Sequence, residues 1–218
     1  MPDFAALRRN MVDTQVRPSD VTEFPIIDAL LRVPRERFVP AGLEGAAYLG
    51  ENLPVGEGRV MFEPRTLAKL LDALDLTPRD LVLLIGSGTG YTAAVLARLV
   101  AAVVAVEEDE AMATESEAAL AETGSDAVIV ERGALAAGAP RHGPYDAVLI
   151  EGGVERVPDA IAAQLREDGR IGALFMDGQH GEARIGRVGP HGRIDWRAAF
   201  NAGAPVLSGF ATEPVFRL

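Results

Sequence analysis

Cysteine is absent from this 218-residue chain, which excludes disulfides, a thiol nucleophile and thiolate metal sites. Lysine is almost absent too, with Lys69 standing alone among the arginines. Basic charge is in deficit: 21 Lys and Arg face 32 Asp and Glu, for a net charge of −11. Such a field repels phosphate backbones and argues against nucleic acid as a partner, although a local arginine patch stays open. No apolar run approaches the roughly 20 residues of a membrane helix. Residues 1–10 lack the apolar core of a signal peptide. The expected location is therefore the cytoplasm, with no membrane partner. The three histidines, His142, His180 and His191, fall in Gly/Pro-rich stretches without metal-ligand spacing, so no metal is expected. Trp196 is the single tryptophan and is expected to pack within a terminal hairpin.

What is present is an ordinary globular composition, 48% hydrophobic. The length suits one domain. The most informative stretch is Leu81-Val82-Leu83-Leu84-Ile85-Gly86-Ser87-Gly88-Thr89-Gly90-Tyr91. Its apolar run reads as a buried parallel strand. Glycines at the strand-to-helix turn let the backbone bend sharply and approach a ligand closely. A second apolar run, Val103-Val104-Ala105-Val106, ends in Glu107. A carboxylate there can accept from both ribose hydroxyls. The spacing G-x-G-x-G favours S-adenosylmethionine over a dinucleotide, and the lack of a following Lys-Ser/Thr argues against a nucleoside triphosphate. Glycine-rich turns also occur in α/β proteins that bind no nucleotide.

Periodicity predicts helices over 3–16, 21–32 and from Pro64 to Leu74, with a glycine-rich loop at 53–58. From Leu81 the expected order is strand, helix, strand (103–107), helix (109–122) and strand (127–131). A strand (146–151), a helix (158–165) and a strand (170–175) follow. This alternation predicts a doubly wound, mainly parallel sheet. Residues 184–188 and 193–199, joined by Gly189-Pro190-His191-Gly192, predict an antiparallel hairpin.

Several landmarks carry a resemblance. They are Val33-Pro34-Arg35-Glu36-Arg37-Phe38-Val39-Pro40, Leu53-Pro54-Val55-Gly56-x-Gly58, Ile85-Gly86-Ser87-Gly88-Thr89-Gly90-Tyr91, Pro144-Tyr145-Asp146-Ala147-Val148 and Gln164-Leu165-x-x-x-Gly169. On these the chain resembles the protein-L-isoaspartate O-methyltransferases over nearly its whole length. The resemblance implies a class I methyltransferase fold, α/β and Rossmann-like, with a seven-stranded sheet. It divides one domain, 1–218, into a helical cap and substrate loop (1–60), a cofactor-binding core (61–177) and a C-terminal hairpin completing the sheet (178–218). It implies S-adenosyl-L-methionine as methyl donor, held by Gly86, Ser87, Gly88, Gly90 and Glu107. It implies isoaspartyl carboxylates of damaged proteins or peptides as acceptors.

The chain departs from the family pattern at the site itself. Phe62 stands where the family has a serine beside the substrate carboxylate, with Val60 on the same segment. Leu84 replaces an acid that helps hold the methionine end of the cofactor. Gly133-Ala134-Leu135 replaces a Gly-Asp-Gly whose Asp reaches the adenine. Ala202-Gly203-Ala204-Pro205 lacks the family's arginine. Each charge-assisted hydrogen bond contributes about 1.5–3 kcal/mol, so weak cofactor binding and weak or absent isoaspartyl activity are expected. One acid is gained: Glu151 ends a strand where the family has a small residue. It reads as a base or as a stabiliser of a cationic group in the substrate pocket, or else as a solvated carboxylate or one paired with an arginine such as Arg156. No catalytic residue is assigned. Three readings stay open: the family activity, an inactive homologue serving as a binding module, and methyl transfer to a different acceptor. The sequence does not give the oligomeric state.

Overall fold

A computed structural model describes residues 2–212. The N-terminal segment is helical. α1 (Phe4–Met11) starts at Asp3, whose side chain accepts from the Ala6 N–H at 2.9 Å, a standard N-cap contact. The predicted helix over 3–16 changes character at its midpoint: α1 ends at Met11, and Val12–Val16 forms a wider turn. α2 (Phe24–Arg32) has Pro25 in its first turn and buries Ile26, Ile27, Ala29 and Leu30. α3 (Pro64–Ala73) follows two short strands, β1 (Leu53–Gly56) and β2 (Arg59–Met61). These pair antiparallel, so the expected glycine-rich loop is a β-hairpin. Gly58 has φ +63° at its turn, a conformation that favours glycine.

The central sheet then forms from β3 (Leu81–Ile85), β4 (Ala102–Glu107), β5 (Val128–Arg132), β6 (Tyr145–Val154), β7 (Leu165–Asp177), β8 (His180–Val188) and β9 (Ile194–Asn201). Its order is β5-β4-β3-β6-β7-β8-β9. Pairings from β5 to β7 are parallel, and β7-β8 and β8-β9 are antiparallel. α4 (Tyr91–Leu96) and α5 (Glu110–Glu122) are crossover helices. α5 is capped by Asp109, which accepts from the Ala111 and Met112 N–H groups. The expected helix at 158–165 contracts to α6 (Asp159–Ala162), because residues from Leu165 onward already pair with β6. The expected hairpin of 184–188 and 193–199 is the β8–β9 pair, and β7 and β8 form a further, longer hairpin. Their pairing runs out to Asp177 and His180, where alternation is broken by glycines.

Alternation along β3 assigns its two faces. Val82 and Leu84 join the apolar cluster beneath α1–α4, whereas Leu83 and Ile85 join the cluster on the opposite face. Trp196 packs edge-on against Phe175, with ring centroids 4.7 Å apart. Among the described residues no helix is long and apolar enough to cross a membrane, and no group of His, Asp or Glu could hold a metal ion. His180 opens β8, and the side chain of His191 lies outside the described residues. So do residues 213–218 at the end of the expected C-terminal segment.

Candidate functional site

The chain runs outward from β3 to β5 and then returns to β6 on the other side of β3. That reversal makes the carboxyl ends of β3, β4 and β6 a topological switch point, the usual ligand crevice of open α/β sheets. Residues 86–90 cross it. Gly86, Gly88 and Gly90 have φ of +76°, +54° and +97°, so the alternate glycines answer a backbone need. The Gly86 and Ser87 N–H groups both donate to the Val106 carbonyl, at 3.0 and 3.2 Å. This pins the turn to the end of β4, beside Glu107.

Glu107 is fully buried, with 0% side-chain exposure, and is paired with Arg59 of β2. Arg59 Nη1 donates to Oε1 at 2.8 Å and Nη2 to Oε2 at 2.7 Å. Oε2 also accepts from the Gly88 N–H at 2.7 Å. Oε1 accepts from the Glu108 and Asp109 N–H groups at 2.9 and 3.1 Å. Burial works against the charge of Arg59, but its bonds to Glu107 and the nearby negative charge outweigh it and raise its pKa.

A second buried acid lies on β6. Glu151 is 4% exposed. Its Oε1 accepts from the Thr92 hydroxyl at 2.7 Å, and its Oε2 has no partner among the described residues. Burial raises its pKa to about 7, opposed by the Thr92 bond, the charges of Arg35 and Arg59 and the Phe62 backbone. Glu151 is thus buried rather than solvated, and Arg156 does not pair with it: Arg156 Nε donates to the Ala211 carbonyl. Facing this acid is buried Arg35, which donates to the Ala47 and Phe62 carbonyls at 2.6 and 2.7 Å. Its guanidinium lies over the Tyr91 ring, 4.7 Å from the centroid. Burial pulls the Arg35 pKa below its ordinary value, with Tyr91 and Glu151 working in the other direction.

The family model for protein-L-isoaspartate(D-aspartate) O-methyltransferase matches residues 8–178. The chain belongs to this family. A protein-L-isoaspartate O-methyltransferase of Methylorubrum extorquens (strain PA1) is 40% identical over 171 residues, covering 78% of this chain and 75% of the relative. One from Roseiflexus castenholzii is 40% identical over 169 residues, covering 78% and 77%. Among solved structures, a protein-L-isoaspartate O-methyltransferase superposes with a TM-score of 0.83 at 23% identity. The match covers 93% of this chain but 66% of that longer one. A Plasmodium falciparum structure described as a family member in complex with S-adenosyl-L-homocysteine superposes with a TM-score of 0.78 at 15% identity, over 95% and 99% of the two chains. The fold of this family member is thus the class I methyltransferase fold with antiparallel C-terminal strands.

The structure brings Gly86, Ser87, Gly88, Gly90 and Glu107 together at the ends of β3 and β4, with Glu151 beside them on β6, which runs on to Val154 rather than ending at Glu151. Phe62 lies just beyond β2 and is fully buried, and Val60 is half-buried on β2. Of the other departures, Leu84 is buried within β3 and Ala134 is exposed. Sequence reasoning missed Arg59, Arg35 and Leu207. The available signal was for Arg59, which precedes the apolar run Val60-Met61-Phe62, where a buried guanidinium needs a carboxylate or carbonyls; Arg35, inside Arg35-Glu36-Arg37, offered none. Leu207 carried no signal. Its position depends on residues 202–207 folding back over β6, where Gly153 N–H donates to the Pro205 carbonyl at 2.8 Å.

As arranged, the loop that would receive an adenosyl ligand is covered. All five residues 86–90 are buried by protein. A Cβ placed on Gly86 would lie 3.1 Å from Leu207 Cδ1 and 3.2 Å from Arg59 Nη2, and one on Gly88 would lie 3.6 Å from Val55 Cγ2. The space that the glycines open is taken by the β1–β2 hairpin and by Leu207.

Proposed function

We propose that this family member has lost efficient methylation of isoaspartyl carboxylates. The observation that carries the reading is Phe62. Its ring is fully buried at the position that the resemblance gives to a serine, so it offers an acceptor carboxylate neither a hydroxyl nor an open surface. A carboxylate brought there without a donor costs several kcal/mol. The adjacent acid Glu151 adds like-charge repulsion when ionised.

The methyl donor of this reading remains S-adenosyl-L-methionine, weakly bound, with Gly86, Ser87, Gly88, Gly90 and Glu107 as the residues that would hold it. The P. falciparum neighbour in complex with S-adenosyl-L-homocysteine supports that choice of ligand class. The acceptor class of the relatives is protein isoaspartate, and a protein or peptide would be the partner if activity survives.

Glu151 favours a second reading, methyl transfer to a different acceptor. A carboxyl group with a pKa of about 7 and one unpartnered oxygen suits proton transfer near neutral pH. Methyl transfer to an isoaspartyl peptide tests the first reading. Turnover is expected to be far below the enzyme median of about 10 per second. A rate within a few hundredfold of that median overturns the proposal.

A further inference from the structure

The acid that the sequence offers to a ribose already has an occupant. An ionised carboxylate has about four lone-pair sites. Glu107 receives five donors: both terminal nitrogens of Arg59 and the N–H groups of Gly88, Glu108 and Asp109. The three backbone donors belong to the glycine turn and the start of α5, and they orient the carboxylate. The two remaining bonds are the ones a ribose diol would make, and Arg59 makes them.

We propose that Arg59 is a built-in competitor for the cofactor's ribose site, carried on a hairpin that must lift before an adenosyl ligand binds. This rests on the reading of residues 86–90 as the family's cofactor loop. The arrangement is specific. Arg59 opens β2 directly after Gly58, and the β1–β2 register shifts between Pro54 and Gly56. Gly56 passes so near α5 that a Cβ there would lie 2.8 Å from Met112 Cε. The hairpin is thus seated across the loop, with Val55 over Gly88 and the guanidinium over Gly86. A bidentate guanidinium–carboxylate pair is stronger than hydrogen bonds from a neutral diol, so the closed arrangement wins at low ligand concentration.

Closure also leaves polar atoms stranded. Ser87 Oγ, Tyr91 OH, Arg35 Nη1 and Glu151 Oε2 are buried without hydrogen-bond partners among the described residues. Native interiors keep few such atoms. Ser87 Oγ lies in the covered loop itself, and Glu151 adjoins it, its carbonyl 3.2 Å from a Cβ placed on Gly86. The outer residues of the hairpin, Pro54, Gly56, Glu57 and Gly58, are exposed, whereas its two ends, Leu53 and Met61, are anchored in the core, so the lift is confined to the residues between them.

The test is calorimetric titration of S-adenosylhomocysteine into the wild type, Arg59→Ala, Arg59→Gln and Arg59→Ala/Glu107→Ala. Arg59→Ala is expected to bind at least about tenfold tighter than wild type, ~1.4 kcal/mol. Arg59→Gln is expected to gain less, and the double variant to lose the gain. Equal or weaker binding by both single variants, or no binding by any protein, overturns the proposal. Hydrogen exchange of the wild type in millimolar ligand gives a readout that needs no variant to fold. Faster exchange at 53–61 supports the lifting hairpin, and slower or unchanged exchange there overturns it. Isoaspartyl methylation by the same proteins separates the two readings. Ordinary turnover by the wild type defeats the proposed loss of activity without altering what the Arg59 titrations say.

Discussion

The Thr92 hydroxyl, in the first turn of α4, donates to Glu151 Oε1 at 2.7 Å and ties that helix to the buried acid of β6. The groups acting on Glu151 are this hydroxyl, the charges of Arg35 and Arg59 and the Phe62 backbone, all working against desolvation. Desolvation prevails and holds the pKa near 7 in the folded protein, against an ordinary value of 4.5. Between those values the native state binds more protons than the unfolded chain, so stability falls as pH rises. The contribution is complete below pH 4.5 and gone above about pH 7. It amounts to about 3 kcal/mol at most. Glu151→Gln keeps the size and acceptor of the protonated acid. It is expected to flatten the dependence of melting temperature on pH across this window and to raise stability at pH 8. A slope matching that of wild type would refute this.

Arg35 supplies a second prediction. Arg35→Met preserves length but leaves the Ala47 and Phe62 carbonyls, accepting at 2.6 and 2.7 Å, without their donor. Each buried group left unpaired costs about 1–3 kcal/mol, partly offset because a desolvated charge is also removed. A net loss of roughly 2–4 kcal/mol is expected in urea unfolding at unchanged m. The charge of Arg35 also restrains the pKa of Glu151. The same variant should therefore move the Glu151 titration to higher pH, which a purely structural loss would not do.

The framework was legible because local and tertiary demands agree there. Leu81–Ile85 is buried on both faces, so it reads as a continuous apolar run, and glycines with positive φ cannot be replaced cheaply. The helix expected over 158–165 is shorter, Asp159–Ala162, because Leu165 fits a helical stripe as well as the start of β7, and its pairing with Tyr145 of β6 decides. Glu107 was legible as a strand-end carboxylate, but its partner was not. Arg59 and Glu107 are 48 positions apart, and only the seating of the hairpin on the loop brings them together. Glu151 was legible as an acid on β6, but the strand runs on to Val154 rather than ending there, and its burial depends on α4, Arg35, Arg59 and Phe62, which no local pattern reports.

A third prediction concerns the entry to β3. Asp80 accepts from the Thr77 N–H and hydroxyl at 3.0 and 2.7 Å and pairs with Arg170 of β7, which also donates to the Leu74 carbonyl at 2.8 Å. Both partners are largely buried, so their coupling is not the small value of an exposed pair. A double-mutant cycle with Asp80→Asn and Arg170→Met is expected to give about 1–3 kcal/mol of interaction energy. Additive losses would show that the two act separately.

Restoring the missing hydroxyl should not restore the reaction. Phe62→Ser places the residue implied by the resemblance beside the acceptor site, but Phe62 is fully buried and part of the cluster beneath α1–α4. Removing a buried ring of this size costs about 3–5 kcal/mol, so a lower melting temperature is expected. The carbonyl of residue 62 would still accept from Arg35, Arg59 would still hold Glu107, and residues 86–90 would still lie beneath the hairpin. The substitution repairs the acceptor half and leaves the donor half closed. Methyl transfer to an isoaspartyl peptide by Phe62→Ser is therefore expected to stay within about tenfold of wild type. Combining it with Arg59→Ala should raise the rate beyond either single change. A rise by Phe62→Ser alone toward the median of about 10 per second would show that position 62 is the controlling defect and that the Arg59–Glu107 pair does not limit the reaction.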